Sequence, residues 1–236
     1  YCHTWLCIGE GVQQRIAPNE TDDVMLANVA ANLGRGYATV APVEEHDGHA
    51  VLVGGGPSAA DCLDEIIWRQ DHGQHVFALN GAAWWLMKNR IVPDYGIVLD
   101  ARAKNVHFVQ GLGNVPWLLA SQCHPDLFGA LRGFDVRMWH FMTRGISALV
   151  GKDATLIGGG LTSGLSAMCL AYTLGYRKLH LYGYDSSDRD GASRRQPHPV
   201  VGGRGEKPCH HDRRQQGDAQ RRGRCISRPH DHGLLE

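Results

Sequence analysis

From residue 50 onward, short apolar runs of strand length alternate with segments in which apolar residues recur at helical spacing. The short runs predict strands at 51–53, 75–79, 95–99, 115–120, 136–139, 154–157 and 178–182. The longer segments predict helices at 58–70, 82–89, 126–131 and 163–174, and an earlier stretch with the same spacing predicts a helix at 22–33. Strands that alternate with helices form parallel sheets joined by right-handed crossovers. The pattern therefore predicts an α/β fold: a Rossmann-like open, mostly parallel sheet with helices on both faces.

Polar residues and glycines cluster directly after the predicted strands. In open α/β sheets, ligands bind beyond the carboxyl ends of the strands, so these clusters are expected to meet at one edge. They comprise residues 54–58, Asn80, Asp100 with Arg102, residues 121–124, residues 158–163 and residues 184–187.

The first cluster is a glycine turn between a strand and a helix. Its residues are Gly54, Gly55, Gly56, Pro57 and Ser58. Glycines let a ligand approach the backbone, and the N–H groups at the start of a helix favour an anion. Ala59 and Ala60 exclude both the dinucleotide fingerprint and the P-loop pattern. The turn predicts phosphate binding without specifying the nucleotide, and a structural strand-to-helix turn is the alternative.

A second glycine turn repeats this design before the helix at 163–174. Gly159 and Gly160 would approach a ligand, and Thr162 or Ser163 would cap the helix or contact that ligand. Two such turns suit a ligand with two anionic parts, or a nucleotide beside a second substrate. Asn80 is a candidate for binding the base or ribose, with a plain turn as the alternative.

Two aspartates end buried strands and are candidate catalytic residues. Asp100 and Asp185 could hold Mg²⁺, which takes one or two carboxylates together with substrate phosphates. Arg102 would supply a cation for a phosphate. Helix or turn capping is the alternative for each aspartate. His124 is a third catalytic candidate, as an acid or base, although Pro125 and Asp126 also mark an ordinary helix start.

Charge divides the chain unevenly. Residues 188–236 hold 11 of the 24 Lys and Arg residues but 7 of the 24 Asp and Glu residues, and they contain no Trp, Tyr or Phe. Such a segment cannot bury enough apolar surface to order itself. The interpretations that remain open are an out-of-frame translation, a solvated disordered tail and a basic arm for nucleic acid.

These patterns predict three regions. Residues 1–49 form an N-terminal helical and extended segment, residues 50–193 the Rossmann-like domain, and residues 194–236 an Arg-rich, disordered tail. The seven cysteines show no C-x-x-C pair, which indicates a reducing, cytoplasmic setting. No apolar run is long enough for a membrane helix, so no membrane partner is expected.

Several motifs resemble the MptE-like 6-hydroxymethylpterin diphosphokinase family, in its phage and prophage branch. They are GGGPS at 54–58, ALNGAA at 78–83, IVPDYGIVLDAR at 91–102, LASQCHP at 119–125, GGLTSGL at 159–165 and LGYRKLHLYGYDSS at 174–187. The resemblance extends from about residue 20 to residue 193. After that point the chain departs from the family into the Arg-rich tail.

The resemblance implies a Rossmann-like fold and, as in archaeal members, transfer of diphosphate from ATP to 6-hydroxymethyl-7,8-dihydropterin with Mg²⁺. It also implies that residues 54–58 bind the nucleotide phosphates and that Asp100 lies near the metal. Bacterial relatives include motility-associated factors that are thought to transfer nonulosonic acid sugars.

The leading hypothesis is thus an Mg²⁺-dependent, nucleotide-using transferase of the diphosphokinase type with a small-molecule acceptor. A glycosyltransferase that uses a nucleotide-activated sugar is one alternative, and a non-catalytic nucleotide-binding phage accessory protein is another. Nucleic acid is expected as a partner only through the tail.

Overall fold

The computed structural model describes residues 5–7, 13–15, 19–160 and 162–185. Ser186, Ser187 and the predicted tail at 194–236 therefore lie outside the described residues. Near the N-terminus, β1 (Trp5–Cys7) and β2 (Gln13–Arg15) form an antiparallel pair.

Seven further strands form one parallel sheet. They are β3 (His46–Val53), β4 (His75–Leu79), β5 (Tyr95–Val98), β6 (Trp117–Ala120), β7 (Val136–Phe141), β8 (Leu156–Ile157) and β9 (Tyr176–Tyr182). Their order in the sheet is β8-β7-β6-β5-β4-β3-β9. This arrangement confirms the predicted α/β, Rossmann-like open parallel sheet.

Helices connect the strands. They are α1 (Asp22–Leu33), α2 (Leu63–Asp71), α3 (Ala82–Lys88), α4 (Pro125–Ala130), α5 (Arg144–Val150) and α6 (Ser163–Thr173), with 3₁₀ helices at Pro57–Cys62 and Ala103–Phe108. None of the helices in the described part of the chain has the length and apolar character needed to cross a membrane.

The order of the strands changes direction at β3. From β3 to β8 each strand lies beside the one before it, and α6 then returns the chain across the sheet so that β9 pairs with the other side of β3. Ligands of open α/β sheets bind at the point where the strand order reverses. The topology therefore singles out the carboxyl ends of β3 and β9, where the first glycine turn begins.

The core is built on the apolar strands. Trp117 and Trp139 are fully buried, and their indole N–H groups donate to the carbonyls of Leu112 at 3.0 Å and Leu118 at 3.1 Å. A Cβ at Gly96 would lie 2.5 Å from Cζ3 of Trp117, so the neighbouring strand must carry glycine there. The Trp117 ring fits against the missing side chain of Gly96, which favours the observed register of β5 against β6.

Differences from the sequence pattern include the start of β3, helix α5 and the first 3₁₀ helix. β3 begins at His46, inside the predicted N-terminal segment, because His46 and His49 find hydrogen-bond partners on the β9 side of the sheet. Helix α5 is absent from the sequence prediction, since its seven residues are too few to establish a period. A 3₁₀ helix at Pro57–Cys62 replaces the first turns of the predicted helix at 58–70.

Candidate functional site

The first glycine turn continues the pairing of β3 with β9 beyond the end of both strands. The N–H of Gly54 donates to the carbonyl of Tyr182 at 2.7 Å, and the N–H of Gly56 donates to the carbonyl of Gly183 at 2.9 Å. Alternate N–H groups of the turn therefore point toward the segment that follows β9. These two donors are already used by backbone carbonyls.

The next N–H in this alternation belongs to Ser58, and an anionic group accepts its hydrogen bond. The Asp185 carboxylate accepts from the Ser58 N–H at 3.2 Å through Oδ2, and from the Ser58 hydroxyl through Oδ1. A backbone N–H and a hydroxyl are donors of the kind that bind phosphate oxygens. The turn thus presents an anion-binding pair of donors, and they hold a carboxylate of this chain.

The glycines make room for that carboxylate. We call Gly183–Asp185 the strap. A Cβ at Gly54 would lie 2.5 Å from the Gly183 carbonyl oxygen, and a Cβ at Gly56 would lie 2.7 Å from the same atom and closer still to Oδ1 of Asp185. Gly183 itself has a φ of +66°, a conformation that favours glycine. Close approach of the strap explains why these positions lack side chains.

The strap also contacts the first turn of α6, the helix that follows the second glycine turn. The Tyr184 hydroxyl donates to the Gly164 carbonyl at 3.3 Å, and a Cβ at Gly164 would lie 2.7 Å from the Tyr184 ring. Burial raises the pKa of Tyr184, so its hydroxyl stays a neutral donor. The strap therefore contacts both the first glycine turn and the start of the helix that follows the second one.

Local contacts account for much of the second turn. Thr162 caps α6, since its hydroxyl accepts from the Leu165 N–H at 3.3 Å, and Ser163 is the first helical residue. Gly159 has a φ of +137°, and a Cβ there would lie 2.6 Å from the Cα of Ser166. A Cβ at Gly160 would contact the Leu165 side chain. Their roles in ligand binding stay predictions.

Asn80 follows β4 at the same edge of the sheet. Its φ is +51°, and its N–H donates to the Ile97 carbonyl at 2.9 Å. Its buried Oδ1 has no hydrogen-bond partner among the described residues. Buried polar atoms are usually paired, so this oxygen is available to a donor on a ligand or a water molecule.

Asp100 is held by a neighbouring cation. Arg102 donates to it from the backbone N–H at 3.0 Å and from Nε at 3.0 Å, and its Nη2 forms an ion pair with Oδ2. Asn19 adds a hydrogen bond to Oδ2 at 3.1 Å. Burial alone would raise the pKa of Asp100, but the hydrogen bonds and charge of Arg102 outweigh it and lower the pKa. Asp100 therefore stays ionised, and both of its carboxylate oxygens accept hydrogen bonds.

Asp100 and Asp185, the two predicted Mg²⁺ ligands, follow strands that are not adjacent in the sheet. β5, which leads to Asp100, is separated from β9 by β4 and β3. At about 4.8 Å per strand the two strands lie about 14 Å apart. Asp185 is bound to Ser58 and Asp100 is bound to Arg102, so joint binding of Mg²⁺ by the two carboxylates stays a prediction. Among the described residues, no group of three or more His, Cys, Asp or Glu side chains is arranged to hold a metal.

His124 lies at the start of α4. Its Nδ1 accepts from the Asp126 N–H at 3.3 Å, which makes it the N-cap residue of that helix. His124 thus marks an ordinary helix start, which was the alternative to a catalytic role. Its catalytic role stays a prediction. Beside it, the buried Ser121 Oγ and Gln122 Oε1 have no hydrogen-bond partner in the described part of the chain.

Two asparagines that were not predicted from the sequence organise this edge. Asn28 Nδ2 donates to the carbonyls of Ala101 at 3.2 Å and Gln122 at 3.1 Å, so it links the loops after β5 and β6. One helical turn later, Asn32 Nδ2 donates to two backbone carbonyls of the loop after β6. A spacing of four residues puts both on one face of α1, and two amides on a single buried face are the signal that could have identified them.

The model of the family described as 6-hydroxymethylpterin diphosphokinase MptE-like matches residues 24–191, more than half of the chain. Solved structures that match include the MAf glycosyltransferase from Magnetospirillum magneticum AMB-1, with a TM-score of 0.58 and 20% sequence identity. That match covers 75% of this chain and 29% of the other, so it shows a shared fold with a small part of a longer protein. No curated protein matches the chain.

Proposed function

Since the chain belongs to the 6-hydroxymethylpterin diphosphokinase MptE-like family, we propose that it is a nucleotide-dependent transferase that binds nucleotide phosphates at residues 54–58. One observation carries this proposal. The N–H and hydroxyl of Ser58 bind an anionic group, the Asp185 carboxylate, at the point where the strand order reverses. A phosphate oxygen offers the same two lone-pair acceptors and the same negative charge.

The neighbouring side chains suit the rest of a nucleotide. Asn80 presents a buried Oδ1 without a hydrogen-bond partner among the residues that the structure describes, and this atom would accept from a base or ribose. The Arg102 side chain is 31% exposed, so its guanidinium can add a cation beside the phosphates while it stays paired with Asp100. Fixed donors and a cation that face a developing negative charge stabilise the transition state of a group transfer. In this proposal the chain positions the donor and stabilises the leaving group.

We further propose that the reaction is of the diphosphokinase type, from ATP to a hydroxymethylpterin-like acceptor. Mg²⁺ would neutralise charge on the phosphates in such a reaction. Asp100 and Asp185 stay the candidate ligands for that ion. His124 stays a candidate acid or base for the acceptor hydroxyl.

The second candidate is transfer from a nucleotide-activated sugar. The observation in its favour is the fold shared with a protein named as a MAf glycosyltransferase. Both reactions need a phosphate-binding turn, so the turn does not distinguish them.

A thermal-shift panel distinguishes them. The ligands are ATP, GTP, CMP, a CMP-sugar and a UDP-sugar, each with Mg²⁺ and with EDTA. Stabilisation by ATP that needs Mg²⁺ supports the diphosphokinase, and stabilisation by CMP or its sugar without a metal supports the glycosyltransferase. Binding without turnover toward any acceptor points to an accessory nucleotide-binding protein. A panel in which no ligand raises the melting temperature contradicts the proposal.

A further inference from the structure

The donors at Ser58 are bound to a side chain of the same chain. The Asp185 carboxylate accepts from both the N–H and the hydroxyl of Ser58. A phosphate placed on these donors would occupy the position of the carboxylate. The two anions cannot share that position, because like charges in contact repel each other.

The backbone around this contact is fixed. Gly54 and Gly56 donate to the carbonyls of Tyr182 and Gly183, and the Tyr184 hydroxyl donates to α6. A Cβ at Gly56 would be too close to Oδ1 of Asp185, so the turn is shaped around the carboxylate. These hydrogen bonds hold Gly183 and Tyr184 of the strap without involving the Asp185 side chain.

We propose that Asp185 is a built-in competitor for the phosphate position: an anionic ligand reaches Ser58 only after the Asp185 carboxylate has left it. This inference rests on the proposed function of residues 54–58. It gives Asp185 a regulatory role in selecting ligands. Anions that bind Ser58 more strongly than the Asp185 carboxylate does displace it, and weaker anions are excluded.

Isothermal titration with inorganic pyrophosphate in EDTA tests the proposal on the full chain. Asp185→Asn keeps the size of the side chain and removes its charge, so this variant should bind pyrophosphate at least about tenfold more tightly than the wild type. Asp64→Asn is the matched control, because Asp64 is an exposed carboxylate at the start of α2 and its loss changes the net charge equally. The control should bind like the wild type.

Ser58→Ala in the Asp185→Asn background shows where pyrophosphate binds. The second substitution removes one donor, so it should cancel the gain in affinity. Amide hydrogen exchange without ligand gives an independent check of folding and contact. The Ser58 N–H should exchange faster in Asp185→Asn, while the N–H groups of Gly54 and Gly56 keep their protection because backbone carbonyls bind them.

The outcomes separate the two proposals. If the wild type binds pyrophosphate and Asp185→Asn binds it no more tightly than Asp64→Asn does, residues 54–58 remain a phosphate site and Asp185 is not a competitor. A gain that survives Ser58→Ala also overturns the role of Asp185, since the ligand then binds elsewhere. If no variant binds pyrophosphate, ATP or CMP, both proposals are wrong.

Discussion

The side-chain amide of Asn32 donates to the backbone carbonyl of Ser121 at 2.9 Å and joins helix α1 to the loop after β6. The same amide donates to the carbonyl of Cys123 at 2.7 Å. Asn32 is fully buried, so these carbonyls have no access to water if the amide is removed. A helix that precedes the sheet thereby holds one of the loops at the candidate site.

We expect Asn32→Leu to destabilise the protein by about 2 to 4 kcal/mol, because it keeps the bulk and leaves two buried carbonyls unpaired. Urea unfolding followed by circular dichroism measures the change. Asn114→Ala, at an exposed position between β5 and β6, serves as the control and should be nearly neutral. Equal effects of the two substitutions would show that α1 does not hold the loop.

Gly56→Ala tests whether the turn is shaped by the strap. The new Cβ would lie 2.7 Å from the Gly183 carbonyl oxygen, so we expect a loss of about 1 to 3 kcal/mol from overpacking. Gly129→Ala is the control, because a Cβ there meets nothing within 4 Å and lies in α4. It should be neutral or slightly stabilising. A Gly56→Ala protein as stable as the wild type would mean that the strap does not lie against the turn.

Asp100→Asn tests the ion pair with Arg102. The pKa of Asp100 is lowered in the folded state, so its contribution to stability is present above the unfolded pKa of about 3.9 and is lost as the pH falls through the lower folded value. We expect the variant to be less stable by about 1 to 2 kcal/mol at pH 7, with the difference shrinking below about pH 4. Urea unfolding at pH 7, 5 and 3 measures it, with exposed Asp153→Asn as the control.

If Asp100→Asn loses stability but binds nucleotide like the wild type, Asp100 has a structural role through Arg102. If it keeps its stability and loses binding, Asp100 acts on the ligand instead. A difference that grows at low pH would contradict the ion pair.

His180 makes the attachment of β9 sensitive to pH. Its Nε2 lies 2.9 Å from Nδ1 of His49 and 3.1 Å from Nη1 of Arg69, and the arginine nitrogen can only donate. Burial, then the charges of Arg69 and His49, lower the pKa of His180. Its contribution is therefore complete above the unfolded pKa of about 6.5 and is lost as the pH falls below that value.

Thermal unfolding between pH 8 and pH 5 measures this effect. His180→Gln should show a smaller loss of stability across the range than the wild type, and His72→Gln, at an exposed position after α2, should behave like the wild type. A wild-type protein that gains stability as the pH falls through this range would contradict the arrangement around Nε2.

The sequence predicts the sheet well because its central strands are almost wholly apolar and alternate with helices. It predicts the glycine turn at 54–58 but not its contacts, since the pairing of Gly54 with Tyr182 and of Ser58 with Asp185 spans more than 120 residues. Such contacts depend on β9 returning to the side of β3, and local periodicity contains no information about that order.

The same limit applies to the prediction that Asp100 and Asp185 act together. Each one follows a strand, and the carboxyl ends of all seven parallel strands share one edge. Which ends are adjacent depends on the strand order, so the sequence could not show that two strands separate Asp100 from Asp185. Asn28 and Asn32 show one sequence signal, two amides four residues apart, but their partners are backbone carbonyls, whose positions no residue type reveals.

Titration of the ¹⁵N-labelled protein with ATP and Mg²⁺, with CMP in EDTA, and with adenosine tests the phosphate-binding role of residues 54–58 most directly. A nucleotide that binds there should shift the amide signal of Ser58 first, together with signals of Gly55 and the strap, because its phosphate replaces the Asp185 carboxylate. Adenosine, which has no phosphate, should leave these signals in place. Nucleotide-dependent shifts confined to other parts of the chain, with Ser58 unchanged, would contradict the proposed site.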